Sequence, residues 1–487
     1  MADFGFVGGA YESPSIYQDT QELINWYCEL DPAKEGESNY AATGQQITRG
    51  VIALYPTPGY TLQIKLPITA EVRGMHPCGN ILLAACGNKL YSIDSTLNYV
   101  ERGTLLSDGG PVSMDDNGIG VLIVDGSNRY TYSLTTNAFA HLDVSDGAFM
   151  GGDKVYCVDN YLIYNRPNSQ QWAATTALST STPALSFSSK DGAPDNLMVA
   201  MVSNRDVYLL GEKTSEVWVD VGTFPFAFQR IPGSNTQHGC AAKHSVSRLG
   251  DSFAFLSRDE RGQGIIVAVS GYAFQRISTH AIENDILGLK LDDAIAFTYQ
   301  MEGHEFYVLT LPTADKTWVY DLSTNKWHKW LSVDSHTTYH RHRANCHAVF
   351  QGMNLIGDYN NGAIYSLSNA VYTDNGTNIR RVRRCPHIVG DFKRQFLEEL
   401  QIAFQPGVGS GNDQGYDPKA MLRWSNDGGS TWSREQWKSI GKIGRYKHRA
   451  IWRRMGVARD RVYELVITDP IKAVIISANL IGSGGDH

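Results

Sequence analysis

The sequence predicts an all-β protein: a β-propeller of about seven blades, with an extended N-terminal arm before it and a small C-terminal β-sandwich after it. Three observations lead there. A unit of apolar strand, turn and second strand ending in an aromatic recurs roughly every 40–50 residues, the period of propeller blades. The turns are built from Gly, Asn and Asp, which supply the positive φ of tight hairpins. After Arg384 the repeat stops and a different strand set begins.

The first segment, 1–70, reads as an arm and docking segment in which "QDTQELINWYCEL" is spaced for one or two helical turns, followed by Tyr55-Pro56-Thr57-Pro58-Gly59, a forced turn. The propeller is placed at 71–384. Its units are "NILLAACGNKLYSIDS" (80–95), "IGVLIVDGSNRYTYSL" (119–134), "GDKVYCVDNYLIYNR" (152–166), "LMVAMVSNRDVYLLG" (197–211), "DSFAFLSRDERGQGIIVAVSG" (251–271), the stretch 305–330 and the stretch 347–368. Gly87-Asn88, Asp125-Gly126, Asn160 and Asn360-Asn361-Gly362 are their turns. So many repeats would overfill a two-sheet sandwich, which favours the propeller. The strands 397–405, 419–425, 449–456, 461–469 and 472–482 form the sandwich, placed at 385–487.

Composition narrows the function classes. Of 487 residues 25 are Tyr, 10 Trp and 47 Gly, a strand-and-turn vocabulary, and a charged fraction of 19% argues against extended disorder. No apolar stretch reaches the ~18 residues of a membrane helix, and residues 1–18 have no signal-peptide pattern. Seven cysteines (Cys28, Cys78, Cys86, Cys157, Cys240, Cys346, Cys385), never in CxxC spacing, read as reduced thiols of a cytosolically folded protein rather than a disulfide framework or zinc site. Charge is asymmetric: residues 380–472 carry 19 Lys and Arg against 10 Asp and Glu, a net +9, which leaves −16 for the rest of a chain whose total is −7. Such asymmetry points to a partner surface or nucleic acid.

Four motifs bear on chemistry. "SNDGGSTW" (425–432) fits the Asp-box of sialidases, but such an enzyme needs several boxes on successive blades plus an arginine cluster and a nucleophile pair, and here one box lies outside the repeat region, so it reads as a structural turn: Asp427 accepts backbone N–H groups, Gly428 and Gly429 take unusual dihedrals, and Thr431 and Trp432 pin it. The glycine-rich Gly407–Gly411 opens no helix, so it lacks the geometry of a phosphate cradle. His336, His340, His342 and His347 alternate with Arg341 and Arg343 and lack a completing ligand, so packing or an interface is expected there and no metal or cofactor. The basic residues Arg380, Arg381, Arg383, Arg384, Lys442, Arg445, Lys447 and Arg449, with Arg453 and Arg454 beyond them, are the candidates to face a partner or DNA; a solvated charged face is the competing reading.

With these stretches in hand, the whole chain resembles the packaged-DNA stabilisation proteins, the tail-hub proteins of short-tailed bacteriophages. The similarity is carried by "QELINWYCELDP" leading into "GVIALYPTPGY", by 207–256, by "FYVLTLPTADKTWVYDLSTNKWHKW", and by the closing stretch from "SNDGGSTWSREQWKSIGKIGRYKHRA" to "VYELVITDP". The resemblance implies a non-enzymatic virion protein, assembled in the host cytoplasm as a ring of six below the portal and head-to-tail adaptor. Such a ring continues the DNA channel, retains the genome, contacts double-stranded DNA nonspecifically in transit, and offers surfaces to tailspikes or fibres and to a plug or needle. A negative body would let DNA slide if its acids line the channel. The alternatives are a sialidase-like propeller glycosidase or glycan-binding protein, and an interaction propeller of cellular origin.

Overall fold

A computed structural model of the chain describes residues 4–30, 38–40, 46–48 and 51–485, apart from 144, 148, 150, 260, 335–337, 391–392 and 410–413. Seven antiparallel sheets follow one another around a ring. Blade 1 is Val72–Cys78, Ile81–Cys86, Lys89–Ile93 and Tyr99–Thr104; blade 2 is Ser113–Asp116, Gly120–Val124, Arg129–Ser133 and Phe139–Leu142. Blade 3 runs from Val155 to Ser189 and blade 4 from Leu197 to Arg230, each with four strands. In blade 5 the inner strand is split into Gly239–Cys240 and Ser247–Leu249, both paired with Ser252–Arg258. Blade 6 is Ile295–Met301, His304–Leu311, Lys316–Asp321 and Lys326–Lys329.

Blade 7 closes the ring with strands from both ends of the repeat region. Ala344–Phe350, Met353–Asp358 and Ala363–Ser368 supply three strands, and Gly59–Lys65 pairs antiparallel with the third as the outer strand. Unbroken apolar runs appear in the second strands because each blade packs on both faces: Leu82, Leu83, Ala84, Ala85 and Cys86 are all fully buried. Apolar clusters fill the seams between successive blades, and the last seam sets Val72, Leu82 and Ala84 of blade 1 against Ala348, Phe350 and Leu355 of blade 7. Blade turns use the expected chemistry. Asp159 and Asn160 both take positive φ (46° and 69°), as do Asn204 and Arg205, the requirement of a two-residue hairpin loop. All seven cysteines are free, five of them buried.

Residues 18–30 are not helical. Thr20–Ile24 and Trp26–Leu30 are strands in two different sheets, with Asn25 (φ 58°) as the switch between them. Its side-chain Nδ2 donates to the carbonyls of Leu331 and Arg380, and its Oδ1 accepts from the Leu331 N–H. The apolar spacing that imitates a helix serves strand pairing on two layers, a tertiary override of local preference.

Those two layers are the sandwich. One sheet has the strand order Trp26–Leu30, Val51–Pro56, Ile475–Gly484, Gln395–Phe404, Ala450–Ala458; the other runs Thr20–Ile24, Arg381–Arg384, Asp460–Ile467, Lys419–Ser425, Gln436–Ser439. Between them lies a core of Phe6, Leu23, Trp26, Leu400, Trp452, Tyr463 and Ile475. The second sheet continues into blade 6 through a parallel bridge, Ile24 to Lys329, so propeller and sandwich share one sheet. The strands Gln436–Ser439 and Ala450–Ala458 therefore form the free edge of the sandwich. Gln436–Ser439 is five strands, about 24 Å at normal strand spacing, from the rim of blade 6.

Candidate interaction surface

The Asp-box turn is a structural device. Strand Lys419–Ser425 delivers Ser425, whose hydroxyl donates to Asp427 Oδ1 (2.6 Å) and accepts from the Gly429 N–H (2.8 Å). Asp427 also accepts from the N–H of Thr431 (2.8 Å) and its hydroxyl (2.6 Å). The Ser425 and Thr431 hydroxyls hold the carboxyl at a pKa of about 2. Gly428 and Gly429 take φ of 67° and 103°. Trp432 lies against two guanidinium groups, those of Arg423 (4.7 Å) and Arg384 (5.2 Å).

Three of the four arginines of the run 380–384 do not face a partner. Arg381 and Arg383 have no exposed surface and Arg384 is held in a charge ladder, which corrects their assignment as partner- or DNA-facing residues. Arg383 reaches under the N-terminal segment and donates to the carbonyls of Phe6 (2.6 Å), Gly9 (3.1 Å) and Gly5 (3.1 Å) and to Gln21 Oε1 (2.9 Å). Burial lowers its pKa, yet it stays charged at neutral pH. Arg384 is shared by Glu464 (2.7 Å) and Glu22 (3.1 Å); Arg423 joins Glu464 from the next strand, and Lys329 joins Glu22 (3.1 Å) and Glu12 (3.2 Å). Burial would raise the pKa of Glu22, but Lys329 and Arg384 overcome it and hold the pKa low. This ladder crosses one face of the shared sheet and ties the sandwich to blade 6. Arg380 is half-buried over the Tyr339 ring.

The second basic run is at the free edge of the sandwich and faces solvent. Between residues 434 and 454 there are eight Lys and Arg and one Glu. Arg445, Lys447 and Arg449 are exposed on the loop joining the two edge strands, and Lys442 sits over the Tyr416 ring (4.4 Å). Arg453 pairs with Glu399 (2.6 Å), and Arg454 (φ 59°) marks a bulge that blunts the edge against uncontrolled strand pairing. Among these charges stand Trp437 (56% exposed), Ile443 (57%) and Tyr446 (69%). Sequence reasoning did not single out Ile443 and Tyr446. The pair of turn glycines around them, Gly441 and Gly444 (φ 120° and 86°), is the signal that this segment leaves the sheet.

The histidines do not converge. His342 is buried and stacked on Trp330 (3.7 Å between ring centres), His340 pairs with Asp315 (2.7 Å), and His347 stacks on Phe297; His336 lies outside the described residues. Of the glycine-rich loop, Ser410 and Gly411 also lie outside them. Among the described residues one trio of ligand type does meet: His76 on the inner strand of blade 1 lies 2.8 Å from Asp116 and 3.9 Å from Asp115 on that of blade 2. With some forty positions between His76 and the two acids, no sequence spacing marks them.

The architecture defines a fused propeller–sandwich protein with a basic, aromatic edge on the sandwich. The model of the family described as "Bacteriophage P22 Gp10, beta-propeller" matches residues 37–372, and that described as "Bacteriophage P22 Gp10, beta-sandwich" matches residues 380–481. The chain belongs to this family, the packaged-DNA stabilisation and tail-hub proteins; it is a phage structural protein of the tail/DNA-stabilisation type and a virion component. No curated protein sequence matches it. Similar solved structures include the computationally designed Ika8 protein (TM-score 0.41, 11% identity, 63% of this chain and 100% of that one). The N-terminal domain of Nup159 (0.40, 13%, 64% and 95%) and the extracellular domain of the putative hybrid two-component system BT4673 from B. thetaiotaomicron (0.42, 9%, 78% and 47%) are others. Likenesses this distant carry nothing about what the chain does.

Proposed function

We infer that the chain is a non-enzymatic tail-hub or nozzle subunit, working as a ring of six beneath the portal and head-to-tail adaptor. The ring closes the head, retains packaged DNA, and gives attachment to tailspikes or fibres and to a plug or needle. The observation that carries this reading is the family match across both domains, which spans residues 37–372 and 380–481. The shared sheet supports it. A subunit that bears the pressure of a packed genome must not hinge between domains, and the ladder Arg423–Glu464–Arg384–Glu22–Lys329 stiffens the junction. The seven-bladed ring offers two wide faces for docking. The Asp-box does no chemistry in this reading, because its hydrogen-bonding groups are spent on the turn.

Electron-microscope images of the purified protein, alone and mixed with its head-to-tail adaptor, test the proposal. Six-fold rings in the mixture are expected, and persistent monomers in both samples would overturn it. Fluorogenic sialosides separate the alternative: no turnover is expected, and hydrolysis abolished by a single substitution in a propeller pocket would favour the glycosidase.

A further inference from the structure

Two surfaces of the molecule carry opposite charge. In an up-and-down blade, the connections after the second strand and after the outer strand emerge on one face of the propeller, and the others on the opposite face. Among the described residues the connections of the first kind hold 16 Asp and Glu against eight Lys and Arg, net −8; those of the second kind hold four against one, net −3. On the acidic face Asp108, Asp143, Asp191 and Glu212 are exposed and form no salt bridge among the described residues. They stand on blades 1 to 4, one after another. The sandwich shares its sheet with blade 6, and its basic edge is the strand of that sheet farthest from the blade.

We propose that the basic edge of the sandwich docks on the acidic arc of blades 1 to 4 of a second copy of this chain. Two different, complementary surfaces make a head-to-tail contact, and a head-to-tail contact closes into a ring whenever its rotation divides the circle. Trp437, Ile443 and Tyr446 supply apolar anchors, and Lys438, Arg445 and Lys447 supply the charges that steer and orient the approach. An apolar Ile443 and a half-exposed indole at the centre of the patch favour a protein over phosphate, which would meet only the charges. The inference rests on the ring reading above and names the contact that builds it.

Sedimentation velocity of the full chain at roughly 50 and 500 mM NaCl tests it, since screening at the higher salt cuts such a contact first. Wild-type protein is expected to self-associate at low salt and to dissociate at high salt. The edge variant Lys438→Glu/Arg445→Glu/Lys447→Glu and the arc variant Asp108→Lys/Asp143→Lys/Asp191→Lys/Glu212→Lys are each expected to weaken association at least ~30-fold with unchanged circular dichroism and melting. Mixed in equal amounts they should associate again, because each then meets its complement. Variants that assemble like wild type would place the contact elsewhere and overturn the inference while leaving the ring intact. Wild-type monomers at every salt, with or without adaptor, would overturn both. An edge variant that assembles normally but no longer binds a DNA duplex in an anisotropy assay would assign the edge to DNA and end the proposal.

Discussion

The two basic runs of this chain look alike as text and behave as opposites. Arg380–Arg384 lies mostly inside the sandwich: Arg381 and Arg383 are fully buried and Arg384 is clasped by two glutamates. Lys442–Arg449 lies on a loop at the free edge, with three of its four cations in solvent. Their composition explains the difference. The inward run has only arginine, whose planar fork of five donors can satisfy several carbonyls at fixed angles, as Arg383 does beneath the N-terminal segment. The outward run mixes in lysine, which prefers hydration. His340 and His342 repeat the contrast at single-residue scale, one half-buried and paired with Asp315, the other buried and stacked on Trp330.

The sharpest way to break the comparison is Arg383→Ala. It leaves three carbonyls and Gln21 without their donor and frees residues 5–9, so a loss of roughly 3–5 kcal/mol is expected in urea unfolding. Arg383→Lys should recover less than half of that, because an ammonium cannot span the same acceptors; full recovery would mean that charge, not the fork, matters. Next in size is the acid limb of stability. Burial pushes the imidazole pKa of His342 to about 3 and that of His328 to about 4, below the unfolded value near 6.5. A base depressed in the folded state takes its proton only on unfolding. Its stability is complete above the unfolded pKa and is lost as pH falls from about 6.5 toward the folded values, at ~1.4 kcal/mol per pH unit for each ring. Unfolding midpoints at pH 7.5, 6.5 and 5.5 check this, and a His342→Gln variant should flatten the slope.

Much of the fold was legible. The repeat spacing and turn residues predicted a propeller of about seven blades, since each blade's central hairpin reads locally. The helix expected around residues 18–30 failed because Thr20–Ile24 and Trp26–Leu30 pair with strands some 360 and 25 residues away, and pairing partners are absent from a local pattern. For the same reason the fate of Arg381, Arg383 and Arg384 could not be read: Glu464 and the Phe6 and Gly5 carbonyls come from distant segments. The exposed run could be read, because turn glycines and a lack of strand alternation keep it out of the core. The hydrogen bonds of Asp427 are local, all its partners lying within a few residues, whereas the Arg384 guanidinium against Trp432 comes from a distant strand.

Asp427→Ala should have a smaller effect, confined to its hairpin. Hydrogen exchange measured by mass spectrometry should quicken in a peptide covering 423–433 while blade peptides stay unchanged, since the carboxylate's partners are all local. The carboxylate's contribution is complete above the unfolded pKa near 3.8 and is lost as pH falls toward 2. The smallest stability effect belongs to Arg445→Ala/Lys447→Ala. Both side chains are exposed and neither forms an ion pair among the described residues, so the melting temperature should match wild type. That double variant removes more positive charge than Arg383→Ala yet should leave the monomer untouched, and its effect should appear only in self-association. If it melted early as well, the outward run would be bearing structure, and the division between an arginine run that builds the subunit and a mixed run that joins subunits would fail.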